Sequence, residues 1–98
     1  MTVVFSSRFK RDLEQIGEEY AAVSERLEGD FRERIAGIVR EIIRWEGGDH
    51  VGPHGFPCRR SSPFPFFVYY QQDEQHLRFL ALVHEKRHPN ILGKATHS

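Results

Sequence analysis

The chain has 98 residues, 39% hydrophobic and 12% aromatic, an ordinary globular composition that argues against disorder. That length allows one core and therefore one domain over residues 1–98, with about 90–98 read as a tail. Fourteen basic and fourteen acidic residues cancel, so no overall field draws the protein to nucleic acid or to a membrane surface.

Charge is nonetheless uneven along the chain. Acids slightly outnumber bases from Ser6 to Glu46, and bases exceed acids from Gly47 onward, where every histidine falls. The single cysteine, Cys58, has no partner for an internal disulfide and fits a reducing compartment. Met1 to Ser6 lacks the basic and apolar regions of a secretory signal, and no stretch approaches the roughly 18 apolar residues of a membrane span. A cytoplasmic location without a membrane partner is the expectation.

In chain order, Thr2-Val3-Val4-Phe5 is short, β-branched and aromatic, and reads as a first strand ending at Ser6-Ser7, which can cap a helix. Phe9, Leu13, Ile16, Tyr20 and Val23 then recur at helical spacing, with Lys10, Arg11, Asp12, Glu14, Glu18 and Glu19 on the wet side. Ser24 caps a second helix whose stripe is Leu27, Phe31, Ile35, Ile38, Ile42 and Trp45, widened by Val39 and Ile43. Gly47-Gly48 supplies its C-cap. The two helices form a hairpin with one shared apolar face.

Gly47 to Pro57 holds four glycines and two prolines and reads as a loop. Cys58-Arg59-Arg60-Ser61 reads as a short strand, with Arg59 and Arg60 pointing to opposite faces, one of them paired with a helix carboxylate. Phe66 to Tyr70 and Leu77 to Val83 make a hairpin across the polar break Gln71 to His76. Apart from Arg78 the last strand is apolar on both alternating sets, as in a central strand covered on both faces. Simple alternation puts His84 on the face of Leu80 and Leu82. At least one of Tyr69 and Tyr70 packs on the helices. The fold class is α+β: an N-terminal strand and a helical hairpin packed on one face of a mainly antiparallel sheet, in the order β-α-α-β-β-β.

That order carries a family resemblance. Together with Arg59-Arg60, Pro65-Phe66-Phe67-Val68-Tyr69-Tyr70, and Leu80-Ala81-Leu82-Val83-His84 followed by Arg87 and Pro89, it resembles the RelE/ParE superfamily of type II toxin–antitoxin modules, from Val3 to Pro89. The aromatic run and the ending His84-x-x-Arg87-x-Pro89 are similar to those of the ParE-like branch. The resemblance implies a toxin neutralised by a cognate antitoxin whose disordered segment orders on binding. It implies contact with operator DNA only through that antitoxin. ParE-like members poison DNA gyrase by binding, whereas RelE-like members are ribosome-dependent messenger RNA endonucleases. A further alternative is a module that keeps antitoxin binding and has lost toxicity.

Cutting RNA by 2′-hydroxyl attack needs an acid, a base and cations on the charged phosphorane. For that chemistry the candidates are His84, His88, Arg59, Arg78 and Arg87. The ParE-like reading is favoured because only Lys10, Lys86 and Lys94 are lysines, no tyrosine follows Tyr70, and net charge is zero. On this reading Arg59, Arg60, Tyr70, Arg78, His84, Arg87 and His88 are candidates for binding target or antitoxin, and no catalytic group is assigned. Arg78 is the least casual of these, since it interrupts an apolar strand. His84 also has the plainer roles of capping or packing. His84 and His88 would need helical spacing to share a metal, which Pro89 disfavours, so no metal or cofactor is expected. Cys58 reads as a buried, inert thiol.

Overall fold

The computed structural model describes residues 2–44, 51–52 and 55–87. Strand β1 (Thr2–Phe5) leads into helix α1 (Ser7–Ala21) and helix α2 (Glu25–Arg44), followed by strands β2 (Cys58–Arg60), β3 (Phe66–Gln72) and β4 (His76–His84). The element order and fold class are those expected from the sequence. Trp45, the Gly47-Gly48 cap, His50, His54, His88, Pro89, His97 and the tail lie outside the described residues.

Each helix starts where a serine can satisfy an orphan amide. Ser6 Oγ accepts from the Phe9 amide at 3.0 Å, and Ser24 Oγ from the Leu27 amide at 3.0 Å. Glu25 and Glu28 in the first turn of α2 and Arg44 in its last complement the helix dipole. Val23 is an exception to the expected stripe. It is 73% exposed, because α1 ends at Ala21 and the chain is already turning toward the Ser24 cap. Ile43 is also exposed, on the outer edge of α2.

The sheet order is β1-β4-β3-β2, with β1 parallel to β4 and the other pairs antiparallel. Strand β4 is therefore central, as its two-sided apolar character required. The main core lies between helices and sheet and contains Phe9, Phe31, Ile35, Ile38, Ile42, Val68, Tyr70, Leu77, Phe79 and Leu82. Burying each such side chain contributes about 1.5–3 kcal/mol, which makes this layer the main source of stability. A smaller cluster of Cys58, Tyr69, Ala81 and Val83 covers the opposite face, with Phe56, Phe67 and Leu80 packed around it. Both tyrosines of the pair are thus buried, on opposite sides.

Alternation along β4 is broken once. Tyr69 faces Ala81 and Tyr70 faces Phe79, so Leu80 is an extra residue, a β-bulge. Leu77, Phe79 and Leu82 point to the helices, while Leu80 and Ala81 belong to the other cluster. This corrects the expected face of Leu80, which does not share the side of Leu82. Strand β1 ends at Phe5, opposite Phe79, and the start of α1 takes over the pairing. Ser6 donates from its amide to the Phe79 carbonyl at 3.0 Å and from its hydroxyl to the Leu80 carbonyl at 2.8 Å. The Leu82 amide donates to Asp12 Oδ2 at 3.1 Å.

Candidate functional site

Two arginines of β2 are held in ion pairs on opposite faces of the sheet. Arg59, opposite Val68, reaches Glu41 of α2 at 3.0 Å. Arg60, opposite Phe67, meets Glu85 at 2.9 Å and Ser62 Oγ at 2.6 Å. The Arg60 hydrogen bond, followed by the cationic charges around it, holds the Glu85 carboxyl below its ordinary range. Alternation predicted this split, and the helix-side arginine is the one with the helix carboxylate.

Arg78 stands on the face away from the helices, opposite Gln71, and is exposed. Among the described residues its guanidinium makes no hydrogen bond or ion pair, although its charge acts on nearby Asp73. The adjacent turn is closed by Asp73, which accepts from the amides of Gln75 at 2.8 Å and His76 at 2.7 Å. Those two amides lower the Asp73 carboxyl most, with smaller help from the charges of His76 and Arg78. Tyr70 is only 2% exposed and packs in the main core. It is therefore a structural residue and not the surface group expected from the aromatic run.

His84 ends β4 on the helix side, edge-on to Phe66 with ring centroids 5.2 Å apart. Its Nδ1 accepts from the Lys86 amide at 3.0 Å, and its carbonyl accepts from the Arg87 amide at 2.8 Å. The packing and turn-forming role is thus directly visible. Arg8, Asp12 and Glu19 of α1 join His84, Lys86 and Arg87 around a cavity of about 420 Å³.

The described members of the nuclease set converge only in part: His84 and Arg87 line one cavity, and the other two stand apart from it. Arg78 lies on one face, His84 on the other, and Arg59 is tied to α2. Acid, base and cation would have to reach the same reacting atoms. His88 lies outside the described residues. Among the described residues no group of three His, Cys, Asp or Glu side chains gathers as a metal site.

A feature that sequence reasoning missed is a groove of about 480 Å³ between β1 and the helical hairpin. Phe5, Phe9, Leu13, Ile35 and Val39 line it, and Lys10 and Arg40 stand beside them. Phe5 remains 38% exposed although it stacks on Phe79. The exposed Ala36 in α2, small and followed by Gly37, is the sequence signal that marks the opening.

No protein-family model matches the chain, and no curated protein does. Its fold does match a solved structure described as the chromosomal ParDE TA system from P. aeruginosa. The TM-score is 0.73 at 13% identity, covering 86% of this chain and 95% of the other. At that identity the likeness defines the fold, an α+β domain of the ParE-like kind. Among the described residues no helix is long and apolar enough to cross a membrane.

Proposed function

We propose that the chain is the toxin of a type II toxin–antitoxin module, ParE-like in that it acts by binding, with DNA gyrase as the target. The reading is carried by the fold match, which spans nearly the whole of both chains. The separation of Arg78 from His84 across the sheet favours binding over RNA cleavage, because acid–base catalysis needs convergent groups. The exposed Arg78 and, on the other side of the sheet, the turn bearing Arg87 are the two separate candidates for recognition of the target.

The antitoxin occupies the Phe5–Val39 groove. A segment that is disordered alone and helical when bound would lay its apolar side there. Acidic residues beside that stripe would meet Lys10 and Arg40. Covering the exposed part of Phe5 also stabilises the toxin by mass action.

Induction in bacteria with and without a small acidic protein encoded beside it tests the reading. The expected result is growth arrest with an SOS response and loss of supercoiling, relieved by co-expression. Prompt codon-linked messenger cleavage would assign the chain to the RelE-like nucleases instead. Absence of arrest, with the neighbour still bound, would leave an antitoxin-binding module.

A further inference from the structure

The cavity between α1 and β4 joins a strand side left without a neighbouring strand to a set of charged groups. Strand β1 stops opposite Phe79, so among the described residues β4 beyond Leu80 has no strand on that side. The Leu80 carbonyl and Leu82 amide there are taken by Ser6 and Asp12. Glu85 donates its amide to Pro65 across β3, so alternation turns the Leu82 carbonyl and the His84 amide the other way, toward the cavity.

Charge at the cavity has one sign in excess. Arg8, Lys86 and Arg87 face Asp12 and Glu19, three cations against two carboxylates. Asp12 is already matched by Arg8 at 3.4 Å and by the Leu82 amide. His84 adds a donor, because an Nδ1 that accepts from Lys86 leaves the neutral ring's proton on Nε2.

We propose that this cavity docks an extended acidic segment of a protein partner. The segment's main chain pairs with the Leu82 carbonyl and the His84 amide, continuing the sheet where β1 stops. One of its carboxylates meets Arg8, Arg87 and the His84 ring. A peptide fits better than nucleic acid, since the strand side offers one acceptor and one donor, and a phosphodiester backbone supplies acceptors only. A free oxyanion would satisfy the cations and leave the strand side unused. The inference does not depend on whether the chain is toxic.

The test uses the full chain, isotope-labelled for amide NMR, with three probes. These are an end-capped hexapeptide of alternating glutamate and valine, its lysine–valine counterpart, and inorganic phosphate. The acidic peptide is expected to shift the Leu82 and His84 amides and to slow exchange of the His84 amide by about tenfold or more. Phosphate should move the side-chain signals of Arg8 and Arg87 without slowing that exchange. Arg8→Glu should weaken the acidic peptide by about tenfold, and Arg87→Glu, in an exposed turn, does the same should Arg8→Glu disturb the helix. Equal binding of the basic peptide, shifts confined to other surfaces, or an acidic peptide that acts only as phosphate does would each overturn the proposal.

Discussion

The Asp12 carboxylate accepts the Leu82 amide at 3.1 Å, joining α1 to β4 immediately after the Leu80 bulge. A bulge leaves backbone groups out of the ladder, and buried ones must find other partners. Ser6, the N-cap of α1, and Asp12, in its second turn, supply both: a donor for the Leu80 carbonyl and an acceptor for the Leu82 amide. Helix and strand are thereby fixed in register at the point where β1 runs out.

Asp12→Ala should therefore cost about 1–3 kcal/mol, the range for a buried amide left without its acceptor. Asp12→Asn keeps an oxygen at that place and should cost less. Urea melts of both variants provide the measurement. Equal stability of Asp12→Ala and the parent would show that the bulge does not need the helix.

Tyr70→Ala removes a ring from the main core and should cost about 3–5 kcal/mol, a large part of the stability of a small domain. Arg78→Ala, on the exposed face, should stay within about 0.5 kcal/mol. Growth assays then separate the two residues. Under the proposed toxin role, loss of growth arrest in folded Arg78→Ala, or in Arg87→Ala, would mark recognition. Full toxicity in both would move the recognition surface elsewhere.

The contrast between Tyr70 and Arg78 shows what the sequence made legible. Helical spacing from Phe9 to Tyr20 and from Leu27 to Ile42 identified the buried stripes because a helix on a sheet has one dry side. In β4 the same kind of reasoning recognised a central strand and isolated Arg78. It failed at Leu80, since between Arg78 and His84 the strand is apolar on both faces and no polar residue reveals a one-residue slip. The aromatic run was legible in part: one tyrosine was expected on the helices and Tyr70 is there, but that same burial removes it as a surface candidate, and Tyr69 fills the opposite layer. Ion pairs were legible only as types. Glu41 as the partner of Arg59 depends on where α2 crosses β2, which no local pattern contains.

At Gly17 two small effects compete. A Cβ there would run into the guanidinium of Arg32, which otherwise pairs with Glu28 at 2.9 Å and Glu14 at 3.5 Å. Displacing that flexible end loses about 0.2–1 kcal/mol per exposed pair. Replacing a mid-helix glycine by alanine gains about 0.8–1 kcal/mol. Gly17→Ala should thus melt within a few degrees of the parent. Gly17→Leu must push α2 itself away and should lose about 1–3 kcal/mol. A large loss in Gly17→Ala would show that Arg32 is fixed more firmly than its ion pairs imply.

Tyr69 is expected to set the alkaline limit of stability. Burial raises its phenol well above the ordinary 10.0, reinforced by the charge of Cys58 and the hydrogen bond to that side chain. Tyr20 is raised too, by burial and then by Glu19. Below pH 10.0 both states hold the Tyr69 proton and nothing is lost. Above it the unfolded chain ionises while the native one does not, so native stability falls as pH rises, by up to about 1.4 kcal/mol per unit for each such group. Denaturant melts between neutral and strongly alkaline pH should show this decline. Tyr69→Phe should make it shallower while lowering neutral stability by about 1 kcal/mol through the lost hydrogen bond. An unchanged slope in Tyr69→Phe would assign the alkaline limit to Tyr20 or to other groups.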